Sequence, residues 1–153
     1  MASDQPPNAA LKTTGTPPKL NGLLETVLFV EDLSRASAFY EKVLGLQKVQ
    51  GNERGYGFVV APRQLLLMVK HGTTREPRET PGGVLPPCGA TRSMHVAFAI
   101  AESELEGWRR WLKSHGVEVL SEVTWERGGR SLYFPDPDGH VLELATPGVW
   151  EVY

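Results

Sequence analysis

The chain has 153 residues, 41% of them hydrophobic and 22% charged, enough to bury one core and too few for two large independent domains. Lys and Arg total 16 against 18 Asp and Glu, a net charge of −2, so no global positive field favours nucleic acid or an anionic membrane; the expected partner is a small molecule. Cys88 is the only cysteine, which excludes an intramolecular disulfide. No apolar run reaches bilayer length, and the first residues lack a secretory signal, so the expected location is cytoplasmic.

Residues 1–20 contain five prolines or glycines and little to bury, the composition of a flexible N-terminal tail. Leu23 to Val30 is an apolar, β-branched and aromatic run broken only by Glu25 and Thr26, which predicts a buried strand. Asp32 or Ser34 then offers an N-cap. Leu33, Ala36, Phe39, Tyr40, Val43 and Leu44 recur at helical spacing, and Gly45 stands where a helix stops. Three short strands are expected near 46–50, 55–60 and 65–70, separated by turns at Gly51-Asn52 and Ala61–Gln64. The first half is therefore βαβββ.

Residues 71–92, rich in proline and glycine, suit a long connection better than a packed element. The second half then repeats the order: a strand over Met94 to Ile100, a helix over Ser103 to Ser114, Gly116 as its stop, and strands near 117–120, 130–134 and 140–145. The fold class is α+β, with two tandem modules at about 22–70 and 93–147 in one domain spanning 21–147. Residues 148–153 are read as a C-terminal tail.

Three polar residues interrupt strands that otherwise read as core: Glu25, His95 and Glu143. An unpaired buried carboxylate costs several kcal/mol or loses its charge. A divalent cation relieves that cost and converts clustered negative charge into binding energy for the metal. The duplication strengthens the case, because Glu25 and His95 fall at equivalent places on equivalent first strands. The same residue types taken singly are more often hydrogen-bonded core or surface residues.

The stretches Val30-Glu-Asp-Leu-Ser-Arg-Ala-Ser-Ala-Phe-Tyr-Glu-Lys-Val-Leu-Gly-Leu46, Met94-His95-Val96 and Ser131-Leu-Tyr-Phe-Pro-Asp-Pro-Asp-Gly-His-Val-Leu-Glu143 together resemble the vicinal oxygen chelate superfamily. That group includes glyoxalase I, fosfomycin-resistance transferases, extradiol dioxygenases and bleomycin-binding proteins. The resemblance covers roughly residues 22–147. It implies a U-shaped sheet around a metal cleft, with one divalent metal (Fe, Mn, Ni, Zn or Mg) held by Glu25, His95 and Glu143. It further implies a substrate that chelates the metal through neighbouring oxygens, and either closure of the cleft within one chain or pairing of two chains as a homodimer. Glu25 is a departure, since the family commonly has histidine there.

The resemblance also separates the reactions. Glyoxalase I takes a further ligand from the last strand of the first half, where this chain has only Leu65, Leu66, Leu67, Met68 and Val69. Ring-cleaving dioxygenases place a tyrosine ten residues before the final glutamate, as Tyr133 stands before Glu143, and this assigns Tyr133 and Glu143 as candidate catalytic residues. Their additional histidines are replaced here by Thr124 and by residues near Thr80. Arg92, Ser93 and Arg130 are the counterparts available for phosphonate binding by a fosfomycin-type thiol transferase. A metal-free binding protein of the bleomycin-resistance type is the reading from another class.

His140 belongs to an Asp-Gly turn and is read as non-catalytic, and His115 as a helix C-terminal cation. Trp108 and Trp111 are assigned to helix faces, whereas Trp125 and Trp150 are left as candidate pocket walls.

Overall fold

The computed structural model describes residues 19–153, so residues 1–18 of the expected tail lie outside the described residues. The first half is β1 (Glu25–Val30), α1 (Leu33–Lys42), β2 (Gln47–Asn52), β3 (Gly55–Ala61) and β4 (Gln64–Lys70). The second is β7 (His95–Ala99), α2 (Leu105–Ser114), β8 (Ser121–Thr124), β9 (Arg130–Pro135) and β10 (Val141–Ala145), with a 3-10 turn at Glu102–Glu104 leading into α2. Both halves have the order βαβββ, as the sequence predicts.

Each half forms its own four-stranded sheet, in the orders β1-β4-β3-β2 and β7-β10-β9-β8. In both, the first strand pairs parallel with the last while the other pairings are antiparallel. A parallel neighbour requires a crossover, and the helix after each first strand supplies it. The two sheets, one from each βαβββ module, make up the α+β fold that the resemblance implies.

Asp32 caps α1 by accepting from the backbone N–H groups of Ser34 and Arg35, both at 2.9 Å. The Arg35 N–H is the first cause holding the Asp32 carboxyl below its ordinary value. Gly45 and Gly116 take φ of 66° and 68°, the left-handed conformation that ends a helix and that glycine adopts without strain.

One apolar cluster runs through both halves, joining Leu28, Tyr40, Phe58 and Met68 to Leu112, Leu132, Phe134 and Leu142. Each such side chain contributes about 1.5–3 kcal/mol when removed from water. Polar clamps sit beside this core. The Tyr40 hydroxyl donates to Asp136 at 2.8 Å and the Trp111 indole N–H donates to the Val43 carbonyl at 2.8 Å. His140, expected only as a turn residue, is 2% exposed. Its Nδ1 accepts from the Met94 N–H at 2.9 Å, and its Nε2 reaches the Phe29 carbonyl of β1 at 2.8 Å. It is a buried link between the halves.

Two local expectations are revised. The connection contains a small hairpin, β5 (Arg78–Thr80) with β6 (Gly83–Leu85), because Pro81-Gly82 is a turn pair between two short extended runs. The strand expected at 117–120 begins only at Ser121. Val117 and Val119 do pack against the core, which explains their alternation, but the paired ladder starts at Ser121 opposite Tyr133.

Candidate metal centre

Strand alternation builds the site. Leu142 and Leu144 of β10 enter the core, which turns Val141, Glu143 and Ala145 to the opposite face of the second sheet. On that face Glu143 lies opposite Tyr133 of β9, and His95 of β7 pairs with Val141. Ser131, two residues from Tyr133, shares the face. The fold thereby gathers His95, Ser131, Tyr133 and Glu143.

Glu143 is held from two sides. The Ser131 hydroxyl donates to its Oε1 at 2.5 Å, and His95 Nε2 stands 3.1 Å from its Oε2. The Glu143 side chain is 7% exposed and that of His95 51%, so the pair sits at the floor of an open face with the imidazole toward solvent. Behind Ser131, the Trp125 indole N–H donates to the serine oxygen at 2.9 Å. An indole N–H can only donate, so the serine proton is left for Glu143.

The same accounting fixes the imidazole. His95 Nδ1 lies 2.9 Å from the Val141 carbonyl, which only accepts, so Nδ1 carries the proton. In neutral histidine the Nε2 lone pair then faces the carboxylate oxygen of Glu143. Two lone pairs at that distance require a proton or a cation between them, and a ring tautomer fixed by a backbone carbonyl is the usual preparation of a metal-ligating histidine. The donor set therefore fits a divalent cation.

Tyr133 closes one side. Its ring lies nearly parallel to that of His95, with centroids 6.0 Å apart and planes at 28°. Burial first, then the neighbouring Glu143 carboxylate, raises its phenol above the ordinary value, so at neutral pH it is a hydrogen-bond donor. This places a proton donor beside the pair.

Glu25 is not gathered with them. It is exposed at the start of β1 and borders a small cavity with Val96, Ala97 and Phe98 of β7. Among the described residues no group of three or more His, Cys, Asp or Glu is arranged to hold a metal within the chain. Of the three ligands expected from the sequence, one chain brings together two.

Arg130 ion-pairs with Glu122 at 2.5 Å and with Glu106 at 3.8 Å, while Arg92 and Ser93 are exposed. His71, the one histidine of the connection, lies 3.9 Å from Glu31 and against Phe29. Cys88 is free and exposed. Sequence reasoning passed over Ser131 and left Trp125 unexplained. The signal for Ser131 was its parity with Tyr133 on one strand.

Comparison with known proteins places this architecture. The family model described as Glyoxalase/Bleomycin resistance protein/Dioxygenase superfamily matches residues 22–144. The metallothiol transferase FosB of Staphylococcus saprophyticus is 31% identical over 118 residues, 76% of this chain and 71% of the relative. Among solved structures, lactoylglutathione lyase from Agrobacterium tumefaciens superposes with a TM-score of 0.79 at 28% identity, covering 89% of this chain and 99% of that one. A variant of the Listeria monocytogenes fosfomycin resistance protein FosX, in complex with Mn(II) and 1S,2S-dihydroxypropylphosphonic acid, superposes with a TM-score of 0.61 at 25% identity, covering 82% of this chain and 90% of that one. With most of its length matched and both halves in the expected order, the chain belongs to the glyoxalase/bleomycin resistance protein/dioxygenase superfamily.

Proposed function

We propose that the protein is a divalent-metal-dependent enzyme acting on a small substrate whose neighbouring oxygens bind the metal. The observation that carries this reading is the opposition of His95 Nε2 and Glu143 Oε2 at 3.1 Å, with Nδ1 already committed to the Val141 carbonyl. The Mn(II) complex of the FosX variant supports a divalent ion without selecting which of Fe, Mn, Ni, Zn or Mg is used.

His95 and Glu143 would hold the ion, and Glu25 of a second copy of the chain would complete the set. Two protein donors are fewer than the three usual for a catalytic ion, and Glu25 of the same chain stands apart. A homodimer that faces the first sheet of one copy toward the second sheet of the other supplies the missing carboxylate. When bound, the metal supplies Lewis-acid stabilisation of negative charge developing on a substrate oxygen.

The remaining work falls to the chain's own residues. Ser131, oriented by Trp125, keeps Oε1 of Glu143 occupied and directs Oε2 toward His95. Tyr133 offers its phenolic proton to a substrate oxygen on the same face. Because Oε1 is engaged, Glu143 acts as a ligand in preference to a base, and Tyr133 is the proton-donating residue.

A second reading within this class is thiol transfer to a fosfomycin-type epoxide. The similarity to FosB favours it; the engagement of Arg130 by Glu122 and Glu106 removes one of the cations expected to bind a phosphonate. Isomerisation or lyase chemistry and catechol dioxygenation are the other reactions the family resemblance offers.

The test is metal analysis of protein purified without chelator, with His95→Ala and Glu143→Ala beside the wild type. Stoichiometric metal lost from both variants is expected. Metal-free wild type that also fails to take up Mn(II), Fe(II) or Zn(II) would overturn the reading in favour of a metal-free binding protein. Hemithioacetal isomerisation, thiol addition to fosfomycin, and oxygen uptake with catechols then divide the reactions.

A further inference from the structure

The β8–β9 turn that carries Trp125 lies at the edge of the second sheet, because β8 pairs only with β9. Trp125 is 39% exposed, so core packing does not fix its indole. The turn is closed by two backbone bonds, from the Trp125 N–H to the Gly129 carbonyl at 2.8 Å and from the Gly128 N–H to the Trp125 carbonyl at 2.9 Å. A turn so held, at the end of a four-residue edge strand, has few buried contacts of its own and needs support from outside to keep one direction.

Residues 148–153 supply that support. Just after β10, Thr146 grips the first residue of β9: its N–H donates to the Arg130 carbonyl at 3.0 Å, and its hydroxyl oxygen accepts from the Arg130 N–H at 2.8 Å. The chain then passes directly behind the turn. A Cβ at Gly148 would stand 2.7 Å from the Gly129 nitrogen and 3.0 Å from the Arg127 carbonyl oxygen, so the two backbones touch with no side chain between them. Gly148 also takes a φ of 96°, a conformation that glycine adopts without strain.

The segment is closed on itself and pinned at its far side. The Gly148 N–H donates to the Tyr153 carbonyl at 2.7 Å, and the Tyr153 N–H to the Trp150 carbonyl at 3.2 Å. The Tyr153 hydroxyl donates to the Ile100 carbonyl at 3.0 Å, one residue past the end of β7, where the Ile100 N–H in turn donates to the Ala145 carbonyl of β10 at 2.9 Å. The Trp150 side chain is exposed, and its part here is played by its backbone. The strap thus runs from the strand of Glu143, behind the turn of Trp125, to the strand of His95.

We propose that residues 148–153 are a strap that positions Trp125, and through it Ser131 and Glu143, with Gly148 and Tyr153 as its positioning residues. Backing by Gly148 holds the turn, the turn aims the indole N–H at the Ser131 oxygen, and the serine proton is thereby kept on Oε1 of Glu143. The consequence for metal affinity rests on the metal reading above; the aiming of the indole does not.

The test uses the full chain with Gly148→Ala and Tyr153→Phe, each alone and in a Trp125→Phe background. The first readout, taken in chelator, is hydrogen exchange of the Trp125 indole N–H, assigned by its absence in Trp125→Phe. The Trp111 indole N–H, bonded to the Val43 carbonyl, is the internal reference. Exchange at Trp125 is expected to quicken at least about tenfold in Gly148→Ala and by a smaller factor in Tyr153→Phe, with Trp111 unchanged. The second readout is affinity for the divalent ion that the wild type takes up, Mn(II) first, expected to fall about three- to tenfold in Gly148→Ala. In the Trp125→Phe background the strap substitutions should cost less than about twofold, because a strap that acts through the indole has nothing left to position. A segment that merely stabilised the fold would cost the same in both backgrounds. Unchanged Trp125 exchange in the folded strap variants, unchanged metal affinity, or equal losses in both backgrounds would overturn the proposal. Should the wild type take up no Mn(II), Fe(II) or Zn(II), the metal reading falls and the indole exchange alone decides the strap. Tyr153→Phe, which removes one hydroxyl, serves if Gly148→Ala does not fold.

Discussion

Ser131 donates its hydroxyl proton to Oε1 of Glu143, and this contact sets which edge of the carboxylate faces His95. The direction is forced from behind by Trp125, whose indole N–H already occupies the serine oxygen. A residue on the β8–β9 turn thus orients a proposed metal ligand on β10.

Removing the serine hydroxyl should loosen Glu143 without unfolding the protein. Ser131→Ala is expected to weaken divalent-metal affinity about 10–100-fold, the usual effect of losing a group that orients a ligand. Trp125→Phe should follow the same direction with a smaller loss, and Ser131→Thr should restore most of it. Mn(II) titration checks the affinity and circular dichroism the fold; unchanged affinity in both Ser131→Ala and Trp125→Phe would remove the orienting role.

Sharing of the proposed centre between copies is open to a mixing experiment. Glu25→Ala and Glu143→Ala should each lack metal as homodimers, because each removes a ligand from every site. Heterodimers of the two should regain one intact site of two, since one site then collects both lost residues and the other keeps the full set. Metal content after mixed refolding gives the answer, and no recovery would mean that the three residues do not meet across an interface.

The Tyr40 phenol is buried against Asp136, and burial first, then the Asp136 charge, raises its ionisation far above the ordinary value. An unfolded chain releases this proton at about pH 10 while the folded chain retains it. The stabilisation is therefore complete below that pH and declines above it by about 1.4 kcal/mol per pH unit for this one group. Tyr40→Phe should flatten this alkaline decline. At pH 7 it should cost about 1–3 kcal/mol, because Asp136 loses a buried donor. Urea unfolding across pH 7 to 11 measures both.

His140 bridges Met94 and Phe29 in the interior, so His140→Ala leaves a buried N–H and a buried carbonyl without partners. A loss of about 2–6 kcal/mol is expected at roughly 1–3 kcal/mol per orphaned group. Thermal or urea unfolding tests it, and a loss below about 0.5 kcal/mol would mean that water replaces both bonds.

Glu122 lies between Arg109 and Arg130 near the surface. The Arg130 hydrogen bond is the first cause lowering its carboxyl below the ordinary value. A lowered folded value gives stability that is present above the unfolded value and lost as the pH falls through the folded one. Solvent screening keeps the effect of Glu122→Gln to roughly 0.5–1 kcal/mol at pH 7, shrinking as acid is added. Denaturant midpoints at pH 7 and pH 3 show whether it does.

Much of the architecture was legible because it rests on local periodicity. The apolar run before Asp32, the helical spacing of Leu33 to Leu44, and the stops at Gly45 and Gly116 are short-range signals of the kind that sequence patterns carry. Val117 to Leu120 misled for the same reason: alternation reports burial of one side, whereas a strand is defined by its partner. Pro81-Gly82 resembled a linker because linkers and hairpin turns draw on the same residues.

The sequence by itself determined the duplicated βαβββ order, through local periodicity and helix stops, and singled out His95 and Glu143 as polar residues interrupting apolar strands. Only the tertiary structure decided how these groups are used. It set the Trp125–Ser131–Glu143 bond direction, buried His140 between the halves, and left Glu25 apart from the other two. Each of these depends on where side chains from distant segments meet in three dimensions, and no local pattern encodes that distance.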